Sequence, residues 1–272
     1  MKLLHAAGAP ARCCPPFFAV ALLMAQTITH AAGLNDTGQT QCYNAASIAV
    51  ACSAAVGGDA GVNPRQDARY GRDAQAAAGG LSKIGAGAAG FDFTKIANNG
   101  TALAAGAALG NAATDWACTK DNVTGLIWEV KTASGLRGVA HTYTWYSTDA
   151  ASNGGNVGSL GSNTCGGTLS GFGNQCNTQN FALAVNASGG LCAATDWRLP
   201  SPRELLTLVT AGQSSPAIDT SYFPNTSGPY YWTRSTHSAA LGSAWFVHFD
   251  GGSTPVGGKS ALAAVRLVRG GQ

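Results

Sequence analysis

Charge is scarce in this sequence of 272 residues, of which only 11% are Asp, Glu, Lys or Arg. The formal net charge is +3, and no run of Lys or Arg forms a basic stripe. Because proteins that bind nucleic acid neutralise phosphates with clustered cations, this scarcity argues against a nucleic-acid partner. The abundance of Gly, Ala, Ser, Thr and Asn is typical of exported bacterial surface proteins, and a hydrophobic content of 45% argues against disorder.

Motifs of catalysis and metal binding are also missing. The sequence has no Gly-x-Ser-x-Gly elbow and no Cys-x-x-Cys pair. The carboxylates available for an acid–base pair are Asp196, Glu204, Asp219 and Asp250. Glu204 is placed to cap a helix and Asp250 to make a turn. We therefore predict that the protein is not an enzyme, uses no cofactor and holds no metal ion.

The apolar run at residues 17–25 is too short to cross a bilayer comfortably. It follows the basic residues Lys2 and Arg12 and precedes a short cleavable stretch ending near Ala31. This pattern predicts a signal peptide at residues 1–32, with an uncleaved anchor as the alternative. The mature protein would be exported, nearly neutral and without a transmembrane span, and it would reside outside the cell, on its surface or in the periplasm.

Cysteines are even in number once the predicted signal is removed, which in an exported chain predicts disulfide bonds. The six that remain are Cys42, Cys52, Cys118, Cys165, Cys176 and Cys192. Proximity favours a Cys42–Cys52 bond, and for the others we favour Cys165–Cys176 and Cys118–Cys192. A zinc site is the competing interpretation.

Residues 33–112 form a Gly/Ala-rich N-terminal segment without tryptophan. We interpret it as a stalk or as a loose layer packed on the C-terminal part of the chain. Residues 91–96 alternate like a short strand. Arg and Asp alternate at residues 65–73, which indicates either a binding surface or, as we favour, ion pairs on an exposed surface.

Residues 113–272 contain all six tryptophans and form the predicted folded domain. The sequence predicts a helix capped by Thr178, a long loop at residues 147–175, and a strand at residues 126–130 able to pair beside the last strand. Further strands are predicted at residues 142–146, 196–199, 230–234, 244–249 and 261–269. Two helices with antiparallel strands give an α+β fold.

The clearest local pattern is the stretch at residues 196–209. Ser201, Pro202 and Glu204 form a capping box for a helix that carries Leu205 and Leu208. We predict that Trp197, Arg198, Leu199, Ser201 and Glu204 are structural, with Arg198 buried or stacked rather than bound to a ligand.

Several short motifs occur in an order that resembles the Lcl C-terminal domain family. They are Thr124–Trp128, Leu191–Cys192, Asp196–Pro200, Glu204–Leu205, Phe223–Pro224, Tyr231–Thr233 and Val265–Arg269. The resemblance covers residues 114–270 and implies a C-type-lectin-like fold with two helices and antiparallel sheets. The founder of the family, a collagen-like adhesin, implies binding of sulfated polysaccharide and cell attachment. This chain lacks a Gly-X-Y tract and the calcium-lectin patterns Glu-Pro-Asn, Gln-Pro-Asp and Trp-Asn-Asp, so we expect no calcium-mediated sugar site.

These observations predict a non-catalytic module that binds glycan or another surface polymer. Aromatic and planar polar side chains on the late strands are the candidate ligand residues: Tyr230, Tyr231, Trp232, Arg234, His237 and Lys259. The alternative for Tyr231 and Trp232 is a place in the core, and the loop at residues 147–175 is a second possible site. The alternative function is a structural component that meets copies of itself or partner proteins through residues 33–112.

Overall fold

The computed structural model describes residues 35–44, 46, 48–50, 52, 66–187, 189–226 and 230–270. The predicted signal peptide at residues 1–32 lies outside this set. The described residues belong to one compact unit, Ala32–Gln272. Among them, no helix is both long enough and apolar enough to cross a membrane.

Helices are short in the described chain, and strands outnumber them, within an α+β fold. The helices are α1 (Asp67–Tyr70), α2 (Arg72–Ala77), α3 (Ala150–Asn153), α4 (Thr178–Ala187) and α5 (Pro202–Leu206), with a 3-10 turn at Ser170–Phe172. The strands are β1 (Cys42–Tyr43), β2 (Ala49–Val50), β3 (Phe93–Ala97), β4 (Ala102–Leu103), β5 (Trp116–Asp121), β6 (Ile127–Glu129), β7 (Tyr230–His237), β8 (Ala240–His248), β9 (Val256–Gly258) and β10 (Val268–Arg269). The predicted α+β class is confirmed, with more helices than the two expected.

The larger sheet has five antiparallel strands in the order β10-β6-β5-β3-β4. Trp128 of β6 lies opposite Val268 of β10, so the predicted pairing of an early strand with the last one is confirmed. Strands β3 and β4 come from the Gly/Ala-rich segment, and Phe93 lies opposite Asp121 of β5. The boundary predicted at residue 113 therefore falls between strands of one sheet, and residues 93–103 are an integral layer rather than a stalk.

The smaller sheet has the order β7-β8-β9 and lies between two hydrophobic clusters. Ala244 and Phe246 of β8 belong to one cluster, whereas Val247 and the following Phe249 belong to the other. The predicted alternation along residues 244–249 is confirmed. Because both faces are covered, alternation here does not distinguish a buried face from an exposed one.

Two predicted strands are reduced to isolated pairings. At residues 142–146, the Tyr143 backbone pairs with Ala263 on one side and the Thr144 backbone pairs with Asn177 on the other. At residues 196–199 only Arg198 pairs, with Val268. The first segment changes partner after a single residue and the second pairs at a single residue, so neither forms a continuous ladder.

The six cysteines predicted to pair form the three favoured disulfides, Cys42–Cys52, Cys118–Cys192 and Cys165–Cys176. This pairing excludes the zinc alternative for these thiols. The long-range bond joins β5 to the loop after α4, across a sequence separation of 74. The bond from Cys165 to Cys176 closes the loop that precedes α4, with a separation of 11.

The corner at residues 198–206 has the predicted capping box. The Ser201 hydroxyl accepts from the Glu204 backbone N–H, and the Glu204 carboxylate accepts from the Ser201 backbone N–H at 2.7 Å. Arg198 adds a bidentate ion pair to Glu204, with the shorter contact at 2.7 Å, and also donates to the Gly270 carbonyl. Arg198 thus joins the corner to the C-terminal strand.

Replacing Glu204 by Gln is expected to lower the free energy of unfolding by about 1 kcal/mol at pH 7, because Gln keeps the cap but loses the ion pair. Burial alone would raise the pKa of Glu204, but hydrogen bonds from Arg198 and Ser201 lower it overall. The carboxylate therefore stabilises the fold above its unfolded-state pKa, and this contribution is lost as the pH falls through the folded-state pKa. Urea unfolding should show the two proteins converging as the pH falls below the folded-state pKa of Glu204.

The matched control is Asp250→Asn, which changes an exposed turn carboxylate and should differ little from the parent. A gap between Glu204→Gln and the parent that is the same at pH 7 and below the folded-state pKa of Glu204 would contradict the assignment of the ion pair.

Candidate functional site

One concavity of the described chain is a groove with a volume of about 770 Å³. Its walls are α3, α4, the end of β7 and the segment at residues 197–199. Ligand pockets commonly have volumes of this size. The lining of the groove combines polar side chains with apolar ones.

Two indole rings underlie the groove and are held rigidly. The Trp145 Nε1 atom donates to the Thr233 carbonyl at 2.9 Å, and the Trp197 Nε1 atom donates to the Leu191 carbonyl at 2.9 Å. Both side chains are almost wholly buried. The base of the groove is therefore a fixed part of the core rather than a movable surface.

Helix α4 is attached to the groove wall at its first turn. The Thr178 hydroxyl donates to the Tyr146 carbonyl at 2.8 Å and accepts from the Tyr146 backbone N–H at 3.0 Å. The predicted capping role of Thr178 is wrong, because it is the Asn177 side chain that accepts from the Asn180 backbone N–H. Thr178 instead fixes the distance between α4 and the segment that precedes α3.

Neutral polar groups line the walls, and several remain available to a ligand. Gln179 accepts from the Thr148 backbone N–H at 2.8 Å, and its amide nitrogen has no partner among the described residues. Asn186 is fully engaged, because its amide both donates to and accepts from the Trp197 backbone. Asp149, the only carboxylate in the lining, accepts from the Ala151 backbone N–H as the cap of α3.

Arg234 is the only guanidinium of the lining that is free to bind an added group. Its backbone N–H donates to the Pro200 carbonyl at 2.8 Å, which fixes the strand, while its side chain is exposed and has no partner among the described residues. The other arginine in the lining, Arg198, is already paired with Glu204. The groove therefore carries one available cation among neutral donors and acceptors.

Of the six predicted ligand residues, only Arg234 lines the groove. Tyr230 is 43% exposed, but it lies at the start of β7, where its ring is tilted against that of His248 with centroids 4.6 Å apart. His237 is half-buried, with its ring centroid 5.2 Å from that of Trp245. Tyr230 and His237 are not brought together with Arg234 in the groove.

The other three predicted ligand residues belong to the interior, which corrects the sequence interpretation. Tyr231 and Trp232 are buried in the two hydrophobic clusters, one in each. Lys259 is only 3% exposed, and its Nζ atom donates to the Asn153 and Asn156 carbonyls while lying 4.0 Å from the centroid of Trp145. Burial lowers the pKa of Lys259. It supports the base of the groove from below and does not face a ligand.

The sequence interpretation missed Tyr146, Gln179 and Asn186, which line the groove. Gln179 and Asn186 lie seven positions apart on one face of α4, a spacing that any polar helix face shares. The sequence predicted Tyr146 only as the last residue of the strand at residues 142–146. The predicted loop at residues 147–175 supplies the α3 side of the groove, and with Arg234 it is a sequence signal that pointed to the site.

A buried ion pair lies elsewhere in the domain and does not face the groove. Lys131 and Glu129 are 3.0 Å apart, and both side chains are almost fully buried. Burial lowers the pKa of Lys131 to about 8, although Glu129 counteracts the shift. Arg266 donates to the Glu129 carbonyl at 2.8 Å, so the network joins β6 to the segment before β10. Its groups are inaccessible, and we assign them to the core.

The comparison with protein families finds that the model described as Lcl C-terminal domain matches residues 117–269. This match spans more than half of the chain and includes the whole groove. Comparisons with curated proteins and with solved structures found no significant match. The lectin-like label for the fold therefore stays a prediction.

Proposed function

The chain belongs to the Lcl C-terminal domain family, and from this premise we propose that it is an exported, non-catalytic protein that binds a polysaccharide in the groove between α3 and α4. The family match covers the domain that contains the groove, and the groove is the site at which we propose that the ligand binds. Because a fold does not transfer a function, the proposal depends on the residues in the groove.

The free side chain of Arg234 is the observation that carries the proposal. A guanidinium presents a planar set of donors that matches carboxylate, sulfate and paired hydroxyl oxygens. Around it lie the unpartnered amide nitrogen of Gln179 and the half-buried ring of Tyr146. Sugar recognition commonly combines such planar polar groups with an aromatic surface.

The same lining favours binding over catalysis. It contains neither histidine nor cysteine, and its one carboxylate, Asp149, is the cap of α3. A calcium-mediated sugar site is disfavoured too, since Ca²⁺ takes roughly six to eight oxygen ligands, usually with several carboxylates among them. We therefore expect ligand binding in the groove to be independent of calcium.

Replacing Arg234 by Ala is expected to weaken polysaccharide binding by roughly 10-fold or more, because a hydrogen bond to a charged group contributes about 1.5–3 kcal/mol. The melting temperature should change little, since the side chain is exposed. A glycan array would identify the ligand, and retention on heparin at low and high salt would measure how much charge contributes.

The matched control is Arg203→Ala, which removes another exposed arginine that does not line the groove. Equal losses in the two variants would point to net charge rather than to the groove. Binding that is unchanged in Arg234→Ala would place the ligand elsewhere on the protein.

Export is part of the proposal, and it is supported by three disulfides, which persist in oxidising compartments. The alternative role, assembly with copies of itself or with partner proteins, predicts a different result. In that case no glycan would bind, and the full chain would form a defined oligomer in solution.

A further inference from the structure

Three carboxylates from the N-terminal segment meet at one point, outside the portion matched by the family model. Asp36 lies in an extended segment, Asp67 begins α1, and Asp73 lies in the first turn of α2. One oxygen of each lies within 4.8 Å of an oxygen of the other two. None of the three takes part in the four ion pairs of the described residues.

Two of these side chains are buried without enough hydrogen-bond partners. Asp36 is 6% exposed, and its carboxylate oxygens lie within hydrogen-bonding reach of the Asp67 and Asp73 carboxyl groups but make no well-formed hydrogen bond to a donor of the described residues. Asp73 is 3% exposed; its Oδ1 atom accepts from the Gly90 backbone N–H at 2.7 Å, but its Oδ2 atom has no partner in the described part of the chain. Burying carboxylates without enough hydrogen-bond partners is strongly unfavourable, so we expect a further group to interact with them.

The neighbouring cationic side chains are not the missing partners of these carboxylates. Arg72 donates through Nε to the Gly90 carbonyl at 2.9 Å, and Lys83 donates to the Gly87 and Ala89 carbonyls. Neither cation forms an ion pair with the three carboxylates, so the crowding of negative charge has no counter-charge among the side chains of the described residues.

We propose that Asp36, Asp67 and Asp73 bind a calcium ion that joins the N-terminal segment to the family domain. Ca²⁺ is bound by oxygen ligands, carboxylates among them, at about 2.3–2.6 Å in flexible geometry, so three carboxylate oxygens that all lie within 4.8 Å of one another can share one ion. Mg²⁺ is usually bound by one or two carboxylates and keeps several waters, so a site with three protein carboxylates favours Ca²⁺. Waters and nearby carbonyls would complete the coordination.

The position of Asp36 explains what the ion would do. The adjacent Asn35 donates to the Asp121 carboxylate at 2.7 Å and to the Thr207 carbonyl at 3.1 Å, which attaches this segment to the family domain. Asp67 and Asp73 belong to α1 and α2 of the N-terminal segment. An ion held by all three carboxylates crosslinks these parts, and its role is structural rather than part of polysaccharide binding in the groove.

The test is a thermal melt of the full chain at pH 7.5 in EDTA, in 1 mM Ca²⁺ and in 1 mM Mg²⁺, together with calorimetric titration of Ca²⁺. We expect Ca²⁺ to raise Tm by about 5 °C or more and to bind at one site, with a clearly smaller shift for Mg²⁺. Asp36→Asn and Asp73→Asn should each weaken Ca²⁺ binding by roughly 10-fold or more, whereas the control Asp250→Asn should bind normally.

A parent protein whose Tm is the same in EDTA and in Ca²⁺ would overturn the proposal, even if an Asn variant fails to fold. So would an equal response to Mg²⁺, or a Ca²⁺ shift that persists in Asp73→Asn. Asn variants that are more stable than the parent, without any Ca²⁺ effect, would show that the three carboxylates only repel one another and bind no ion. Arg234→Ala should keep the full Ca²⁺ response, which separates this site from the proposed groove.

Discussion

Replacing Trp197 by Ala is expected to lower the free energy of unfolding by about 4 kcal/mol, a large part of the stability of an ordinary domain. The side chain is 2% exposed and packs in the same hydrophobic cluster as Trp145 and Phe181. Its removal leaves a cavity, and it also leaves the Leu191 carbonyl without the hydrogen bond from the indole Nε1 atom. We expect a domain that is largely unfolded at moderate temperature.

Two controls separate this effect from a local change in the groove, which Trp197 also underlies. Trp197→Phe keeps most of the buried volume but loses the indole N–H, so its destabilisation should be smaller, at about 1–2 kcal/mol. Leu183→Ala changes an exposed residue of α4 and should cost well under about 1 kcal/mol. The measurement is urea unfolding followed by tryptophan fluorescence and circular dichroism.

A Trp197→Ala protein that melts normally but no longer binds polysaccharide would contradict the structural assignment. It would mean that Trp197 contacts the ligand directly and that the core tolerates its loss. The groove would then be the correct site, but the indole would have to become accessible when the ligand binds.

The local features of this fold are readable from the sequence because their partners lie close together along the chain. Ser201 and Glu204 are three residues apart, so the sequence alone specifies their capping box. The disulfide between Cys165 and Cys176 is similarly local. In each case, few alternative partners lie within reach of the same short segment.

The burial of the late strands is less predictable, because it depends on distant residues. The local sequence of β7 is compatible with Trp232 facing a ligand. In the structure, however, its indole Nε1 atom donates to the Tyr143 carbonyl, 89 residues away. Nothing within residues 230–234 reveals that this face is covered. Arg234 is in the groove for the same kind of reason, since α3 and α4 reach it from elsewhere in the chain.

The acidic cluster is a clearer case of tertiary information. At residues 65–73 the alternation of Arg and Asp predicted exposed ion pairs, but Asp73 turns inward to the Gly90 backbone. Asp36, far away in sequence, completes the cluster. The sequence of a segment shows which charged side chains it carries. Only the tertiary fold determines whether a carboxylate lies beside a cation or beside another carboxylate.

Removing the Cys118–Cys192 disulfide by double substitution to Ala is expected to lower the free energy of unfolding by about 4 kcal/mol or more. The bond closes a loop with a sequence separation of 74, which contains α3, α4 and most of the groove. Without the bond, the unfolded chain gains the conformational freedom of that loop. Both cysteines are also buried, so some packing is lost in the folded state as well.

The double substitution of Cys165 and Cys176 is the matched control, since these residues are also buried but have a separation of only 11. We expect a smaller loss there, of about 3 kcal/mol, because the shorter loop restricts the unfolded chain less. Urea unfolding of both variants beside the parent measures the difference. A larger loss from the short loop would show that native packing around Cys165, rather than unfolded-state entropy, dominates the contribution of these bonds.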